Sequence, residues 1–315
     1  MHFPATGSSG TCPFTGTDKV GALPTREAPH RSVGTTSRSH FGGILPPLIG
    51  HRGAAGCAPE NTLAALRKAG EIKCRWVEFD VRLTADGQLI LLHDERLERT
   101  TSGRGNAALL SLATVQRYDA GRRFGAAFRG ERVPTLAEAV ALLSELGIGA
   151  NVELKAVRDR EAETGAMAAA LLCGLWPSQH PALLISSFSQ KALAAVQACE
   201  PSIARGMLFR AVPRNWRVLA GRFGCATIHA DHRRLHPALV AENRESGYPL
   251  LAYTVNDPGR ASTLFGWGVT SVFSDVPHIL FAAAESATGL PATTKSNLAG
   301  TSRQGAVRRS RSIPS

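Results

Sequence analysis

The chain has 315 residues, 43% of them hydrophobic, six cysteines and a formal net charge of +11. That is enough apolar material for one large core or two modest ones, and no run approaches the roughly 20 apolar residues of a helical membrane span. More than half of the excess positive charge lies at the two ends, so the body is only mildly basic and suits a small anionic substrate as well as a polymer.

Residues 1–45 are rich in Gly, Ser, Thr and Pro and read as a disordered N-terminal extension. They carry no basic region followed by an apolar stretch, so no secretory leader is expected. Regular patterning begins near residue 46. Pro47–Gly50 reads as a strand. Glu60–Glu71 reads as a helix, with Pro59 at its start, where a missing N–H costs little. Trp76–Leu83 alternates as a strand, Ala85-Asp86-Gly87 as a tight turn and Gln88–Leu92 as a second extended run, together a hairpin-like extension. Residues 96–134 are polar, rich in Gly and Arg and weakly periodic, and read as an insertion. Helices are then expected at Leu136–Leu146, Glu161–Leu175, Gln190–Cys199, Asn215–Phe223, Pro237–Glu245, Pro258–Trp267 and Pro277–Ala287. Strands are expected at Gly149–Leu154, Leu183–Ser187, Ile203–Phe209, Ala226–Ala230, Pro249–Val255 and Ser271–Ser274. Residues 288–315 read as a disordered basic tail. Its AVRRSRS segment, from Ala306, is expected to be a solvated appendage, with contact to acidic lipid or RNA as the alternative.

Eight strand–helix units over about 240 residues predict an α/β protein, a closed eight-stranded β/α barrel spanning 46–287. The competing arrangement, a doubly wound open sheet, usually has fewer strands and a Gly-rich dinucleotide turn after its first strand, which is missing here. The cysteines show no zinc-ligand spacing, and most sit in apolar runs, where Cys behaves as a small core residue. This points to a reducing, cytoplasmic compartment.

A β/α barrel does its chemistry at the C-terminal ends of its strands, and those ends carry the ionisable residues of this chain. The first strand ends on His51 and Arg52, the second carries Glu78 and Asp80, and the hairpin ends on His93 and Asp94. The next strand ends on Glu153 and Lys155, another on Ser187 and Phe188, another on His229, and a later one on Tyr253 and Asn256. Glu78 and Asp80 are two apart on a strand and share a face. Unpaired, their repulsion costs several kcal/mol, of order. A divalent cation relieves it, and with Glu153 the set is all oxygen, which suits Mg²⁺ or Ca²⁺ better than zinc. A salt-bridge cluster with Arg52 and Lys155 is the alternative. His51 and His93 are the natural acid and base near neutral pH. Arg52 and Lys155, with the metal, would neutralise the non-bridging oxygens of a phosphodiester.

In chain order the sequence shows HRG at 51–53, PENT at 59–62, EFD at 78–80, ADG at 85–87, HD at 93–94, RTTSGRG at 99–105, VELK at 152–155, SSF at 186–188, YTVN at 253–256 and SDVP at 274–277. It resembles the glycerophosphodiester phosphodiesterases of the bacterial cytosolic type over about residues 46–285. The resemblance implies a TIM barrel with a small insertion after the second strand. It also implies metal-dependent hydrolysis of glycerophosphodiesters, the deacylated headgroups of phospholipids, to sn-glycerol 3-phosphate and an alcohol. By the resemblance His51 and His93 are the acid/base pair, Glu78, Asp80 and Glu153 hold the metal, and Arg52 and Lys155 contact phosphate. Many relatives carry Trp where this chain has Tyr253; with Phe188, Tyr253 is expected to contact substrate.

Several features stay open at this level. Asn61 either reaches the metal site or caps a helix. His229 either lines the pocket or is structural. SGRG (102–105) lacks the spacing of a P-loop and reads as part of the insertion. Arg122–Arg132 reads as a solvated face, with a substrate lid as the alternative. A phospholipase-D-like activity on intact lipid would need an exposed apolar rim, for which Phe124 and Phe128 between those arginines are the candidate. A non-catalytic binder acting through the basic tail is the reading from a different class. The expected partner is a small glycerophosphodiester, with no nucleic acid and no membrane insertion.

Overall fold

The structure, a computed structural model, describes residues 45–179 and 183–288. The expectations for the chain ends therefore lie outside the described residues, apart from the few that border the barrel. The strands are β1 (Leu48–Gly50), β2 (Trp76–Leu83), β3 (Leu89–Leu91), β4 (Gly149–Leu154), β5 (Leu183–Ser187), β6 (Ala204–Phe209), β7 (Thr227–Asp231), β8 (Leu250–Tyr253) and β9 (Ser271–Ser274). The helices are α1 (Leu63–Glu71), α2 (Leu112–Val115), α3 (Leu136–Leu146), α4 (Glu161–Leu175), α5 (Gln190–Cys199), α6 (Trp216–Arg222), α7 (Pro237–Glu245), α8 (Pro258–Trp267) and α9 (Pro277–Thr288).

All strands but β3 pair in parallel, in the order β1-β9-β8-β7-β6-β5-β4-β2, and β1 pairs with β2 to close the ring. The expected eight-stranded β/α barrel is the architecture found. β3 folds back antiparallel on the far end of β2, with Val81 opposite Leu91 and Leu83 opposite Leu89. The turn between them closes through Thr84, whose hydroxyl donates to Asp86 and accepts from Gln88 N–H (2.6 and 2.9 Å). Gly87 takes the left-handed conformation there, φ 75°.

Local chemistry explains the helix boundaries. Thr135 and Glu138 form a reciprocal capping box at α3, Ser189 caps α5, and Pro opens α7 and α8. Gly147 and Gly268 end α3 and α8 in the left-handed region. Several strand and helix ends shift by one or two residues from expectation, and the largest departure is at the first helix. The first helix begins at Leu63, capped by Thr62, and not at Glu60, so Pro59 lies outside it. Glu60 and Asn61 are drawn toward the barrel mouth, as described below.

Strand alternation sorts the core. Val77, Phe79 and Val81 point outward against Leu136, Leu143 and Leu172 of the helical layer. Trp216, Leu264 and Val272 belong to the corresponding cluster on the other side. Each fully buried side chain of this kind contributes about 1.5–3 kcal/mol. The alternate positions face the barrel axis. Ile49, Trp76, Leu184, Leu251 and Phe273 form an apolar plug low in the barrel, and polar residues occupy the positions above it. Within residues 96–134, Leu97, Val115, Ala120 and Val133 pack against Ile90 and Leu92 in a small cluster of their own.

Candidate active site

The register of β2 and β4 assembles the acidic cluster. Asp80 lies opposite Glu153, and Glu78 opposite Asn151. Glu78, Asp80 and Glu153 are all buried, and each offers an oxygen within 4.8 Å of the others. Asp80 is the best compensated. Lys155 Nζ is 3.0 Å away and Arg52 Nε 3.4 Å. Asn61 donates to Asp80 Oδ2 (2.8 Å) and accepts from Asp80 N–H (3.0 Å). Asn61 is thus a site residue, and the helix cap is its neighbour Thr62. Burial works against the Asp80 charge, but Lys155 and Arg52 outweigh it and hold the carboxyl well below its usual range. Glu153 pairs with Lys155. The same carboxylates keep Lys155 protonated despite its burial.

Glu78 is in a different position. Its Oε2 accepts from Arg52 N–H (3.0 Å), and its ion-pair contact among the described residues is His51 Nε2 at 3.8 Å. Its Oε1 is buried without a hydrogen-bond partner. Burial first, and then the negative Asp80 beside it, push its carboxyl up to about 8. Arg52 and Lys155 therefore satisfy part of the cluster only, and the salt-bridge alternative leaves Glu78 Oε1 unanswered. Three hard oxygen donors in mutual reach, one of them orphaned, fit a divalent cation.

The HRG triplet is shaped by its backbone. His51 N–H donates to Ser274 O (2.8 Å), and Gly53 N–H to Glu78 O (3.0 Å). Arg52 adopts a positive φ of 51° and Gly53 one of 85°. A Cβ on Gly53 would lie 2.6–2.8 Å from backbone and side-chain atoms of Ala65. Glycine lets α1 approach β1, which brings Asn61 to Asp80.

Both histidines are held from behind by a carboxylate. His51 Nδ1 is 2.6 Å from Asp275 Oδ1. Asp275 is itself fixed by Asn256 Nδ2 (2.8 Å), and its N–H donates to Asn256 Oδ1 (2.9 Å). His93 Nδ1 is 2.7 Å from Asp94 Oδ1. An ionised carboxylate only accepts, so Nδ1 carries the proton in each case, and Nε2 is left to exchange protons. Burial depresses the charged form of His51, but the bond to Asp275 and the charge of Glu78 outweigh it, and its pKa is raised. At His93 burial prevails, reinforced by Lys155 and Arg52 against Asp80 and Asp94, and its pKa is lowered.

A further chain of ion pairs ties these groups together. Arg99 donates to Asp94 Oδ2 (2.6 Å) and to both oxygens of Glu60 (2.6 and 2.8 Å), and Glu60 accepts from Arg52 (2.7 Å). Arg82 donates twice to the His93 carbonyl (3.0 and 2.8 Å) and anchors that backbone. Glu60, Arg99 and Asp275 lie inside the PENT, RTTSGRG and SDVP motifs, which do not by themselves assign them a role. An acidic residue directly after the last strand was the available signal for Asp275.

These groups open into one cavity of about 860 Å³ at the C-terminal end of the barrel, lined by His51, Arg52, Glu78, His93, Glu153 and Lys155 on one side. Phe188 and Tyr253 line it too and meet edge to face with centroids 6.2 Å apart. Tyr253 Oη donates to Phe209 O (2.8 Å). His229 lines the floor. Fully buried, it meets Thr227 Oγ1 at 2.9 Å, has no partner on Nδ1, and is driven neutral by burial, its pKa down to about 3. The SGRG turn contributes no residue to the cavity, and most of Arg122–Arg132 is exposed to solvent. Among the described residues no helix is long and apolar enough to cross a membrane.

Known proteins similar to this chain point to one family. The model of the glycerophosphoryl diester phosphodiesterase family matches residues 51–279. A putative glycerophosphodiester phosphodiesterase of Bacillus subtilis is 32% identical over 240 residues, which is 74% of this chain and 96% of the relative. A glycerophosphodiester phosphodiesterase of Caldanaerobacter subterraneus is 31% identical over 243 residues, 74% of this chain and 95% of the relative. Among solved structures, a phosphodiesterase of Oleispira antarctica in complex with the product sn-glycerol-3-phosphate superposes with a TM-score of 0.75 at 39% identity, covering 77% of this chain and 98% of that one. The chain belongs to the glycerophosphoryl diester phosphodiesterase family.

Proposed function

We propose that this protein hydrolyses glycerophosphodiesters to sn-glycerol 3-phosphate and an alcohol, with His51 and His93 as the proton-transfer pair and a divalent cation, Mg²⁺ or Ca²⁺, held by Glu78, Asp80 and Glu153. Family membership carries the reaction class, hydrolysis of a phosphoric diester. One observation carries the residue assignment: two carboxylate-backed histidines line the same cavity as Glu78 and Glu153, and Asp80 completes their buried acidic cluster. The similar Oleispira antarctica protein in complex with sn-glycerol-3-phosphate supports the same product here.

The residues divide the work as follows. His93, favoured as the neutral ring, accepts a proton from the attacking oxygen. His51, favoured as the charged ring, returns one to the departing alkoxide. Such a pair supplies about 10²–10⁴-fold each. Arg52 and Lys155 hold the non-bridging phosphate oxygens; Arg52 Nε is buried without a hydrogen-bond partner. A bound divalent cation would neutralise the carboxylates and polarise a phosphate oxygen. Asp275 and Asp94 fix the two rings, while Phe188 and Tyr253 flank the organic part of the substrate.

The barrel, 46–287, is the catalytic unit in this reading, with 96–134 as its insertion. The thiol state of Cys57, Cys74, Cys173 and Cys225 supports a reducing, cytoplasmic setting. The test is release of sn-glycerol 3-phosphate from glycerophosphocholine and glycerophosphoethanolamine after chelation and add-back of single metals. Metal-restored release, lost in His51→Ala with the fold intact, is the expected result. An unaltered rate in His51→Ala would refute it, as would turnover of intact phospholipid vesicles without turnover of the deacylated diesters.

A further inference from the structure

The cavity has two unlike walls. The one formed by β1, β2, β3 and β4 carries the reacting groups. The opposite one, from the ends of β6 and β7, carries Arg210, Arg233 and Arg234 beside Asp231. The floor between them is neutral: Asn151 Oδ1 and His229 Nδ1 are buried there without partners.

The basic wall is built and not merely charged. Asp231 accepts from Arg233 N–H (3.0 Å) and from its guanidinium twice (2.9 and 2.7 Å), which shapes the helical turn His232–Arg234. Arg260 grips the same turn through the His232 carbonyl. On the neighbouring strand, Tyr253 Oη holds the carbonyl of Phe209, the residue before Arg210. Asp231 neutralises one of the three guanidiniums. Arg210 and Arg234 remain, both exposed and free of ion pairs among the described residues.

A glycerophosphodiester has two organic arms. Glycerol is neutral and gains no charge attraction from guanidiniums, whereas the neutral floor offers partners for its hydroxyls. The second arm is left facing the arginines. A cationic choline or ethanolamine there meets like charge, while an anionic group gains two uncompensated guanidiniums at the mouth of a cavity that focuses their field.

Resting on the activity proposed above, we infer that Arg210 and Arg234 form a second anion subsite. It selects glycerophosphodiesters whose alcohol carries a further anionic group, a carboxylate or a phosphate.

The test uses the full chain with added divalent cation and three probes. Glycerophosphoserine and glycerophosphoethanolamine differ by one carboxylate, and glycerophosphoglycerol phosphate carries the anion as phosphate. We expect kcat/KM for glycerophosphoserine to exceed that for glycerophosphoethanolamine by about five- to tenfold at low salt, the range for a few exposed charges. The ratio should shrink toward one in Arg210→Ala/Arg234→Ala and at high ionic strength. The double Lys variant should keep most of it, which separates charge from a packing effect. The phosphate probe, set against the serine probe, tells which anion the subsite prefers. A ratio near one in the wild type, or a ratio unmoved by the double Ala substitution, overturns the inference while hydrolysis of glycerophosphoethanolamine still upholds the activity. Failure to release sn-glycerol 3-phosphate from any probe overturns both.

Discussion

His51 Nδ1 lies 2.6 Å from Asp275 Oδ1, although 224 residues separate them in the chain. Ring closure makes the contact. β1 pairs with β9, so the residue after each strand lands beside the other. Asp275→Asn keeps the shape but loses the charge that favours the imidazolium. A loss of about 10–100-fold in kcat/KM is expected, the usual range for a residue that orients a reacting histidine or metal ligand. Steady-state kinetics with circular dichroism as a fold control would check it; an unchanged kcat/KM would contradict the positioning role.

The two histidines should give a bell-shaped pH profile. His93 works as the neutral ring, so activity rises as pH climbs through its pKa, which lies below the ordinary 6.5. His51 works as the charged ring, so activity falls as pH climbs through its pKa, which lies above 6.5. The optimum therefore falls near neutrality. Asp275→Asn removes a group that raises the His51 pKa, so the alkaline limb should move to lower pH while the acid limb stays. A shift of the acid limb instead would reverse the two roles.

Glu78 makes a prediction with two opposite signs. Its Oε1 has no partner, and its charge is disfavoured by burial and by Asp80. Glu78→Gln should leave the metal-free protein as stable as the wild type or more stable, by roughly 1–2 kcal/mol, because it removes an uncompensated buried carboxylate. A divalent cation at a hundred times its Kd should add about 2.7 kcal/mol to the wild type and far less to the variant. Thermal melts with and without chelator measure both. An equal cation shift in the two proteins would exclude Glu78 as a ligand.

Gly53→Ala tests the link from α1 to the acidic cluster. The new Cβ would lie 2.6–2.8 Å from Ala65, and φ of 85° already disfavours an L side chain. A loss of about 3 kcal/mol or more is expected from backbone strain plus overpacking, read by urea denaturation. A loss under about 0.5 kcal/mol, the range of neutral surface changes, would mean that the helix approach is not constrained there.

Much of this molecule is legible in one dimension. The boundaries of α3, β4, α4, β5, α5, α7, α8 and β9 follow from apolar periodicity and cap chemistry, both of which act within a few residues. The inward face shared by Glu78 and Asp80 follows from the two-residue period of a strand. The same local rules misread Glu60 and Asn61 as the first turn of a helix. Asn61 spends its amide on Asp80, 19 residues later, and no local preference contains that bond.

The sequence by itself determined the barrel and delivered the reacting side chains to the ends of its strands, because alternation and turn chemistry are short-range. Only the closed ring decided which of them meet. Asp80 reaches Glu153 through strand register, His51 reaches Asp275 through closure, and Arg99 bridges Asp94 and Glu60 from the insertion. Burial decided the rest. The same carboxyl group is held ionised at Asp80, beside two cations, and pushed up at Glu78, where charge compensation runs out. Those are properties of surroundings assembled from distant parts of the chain.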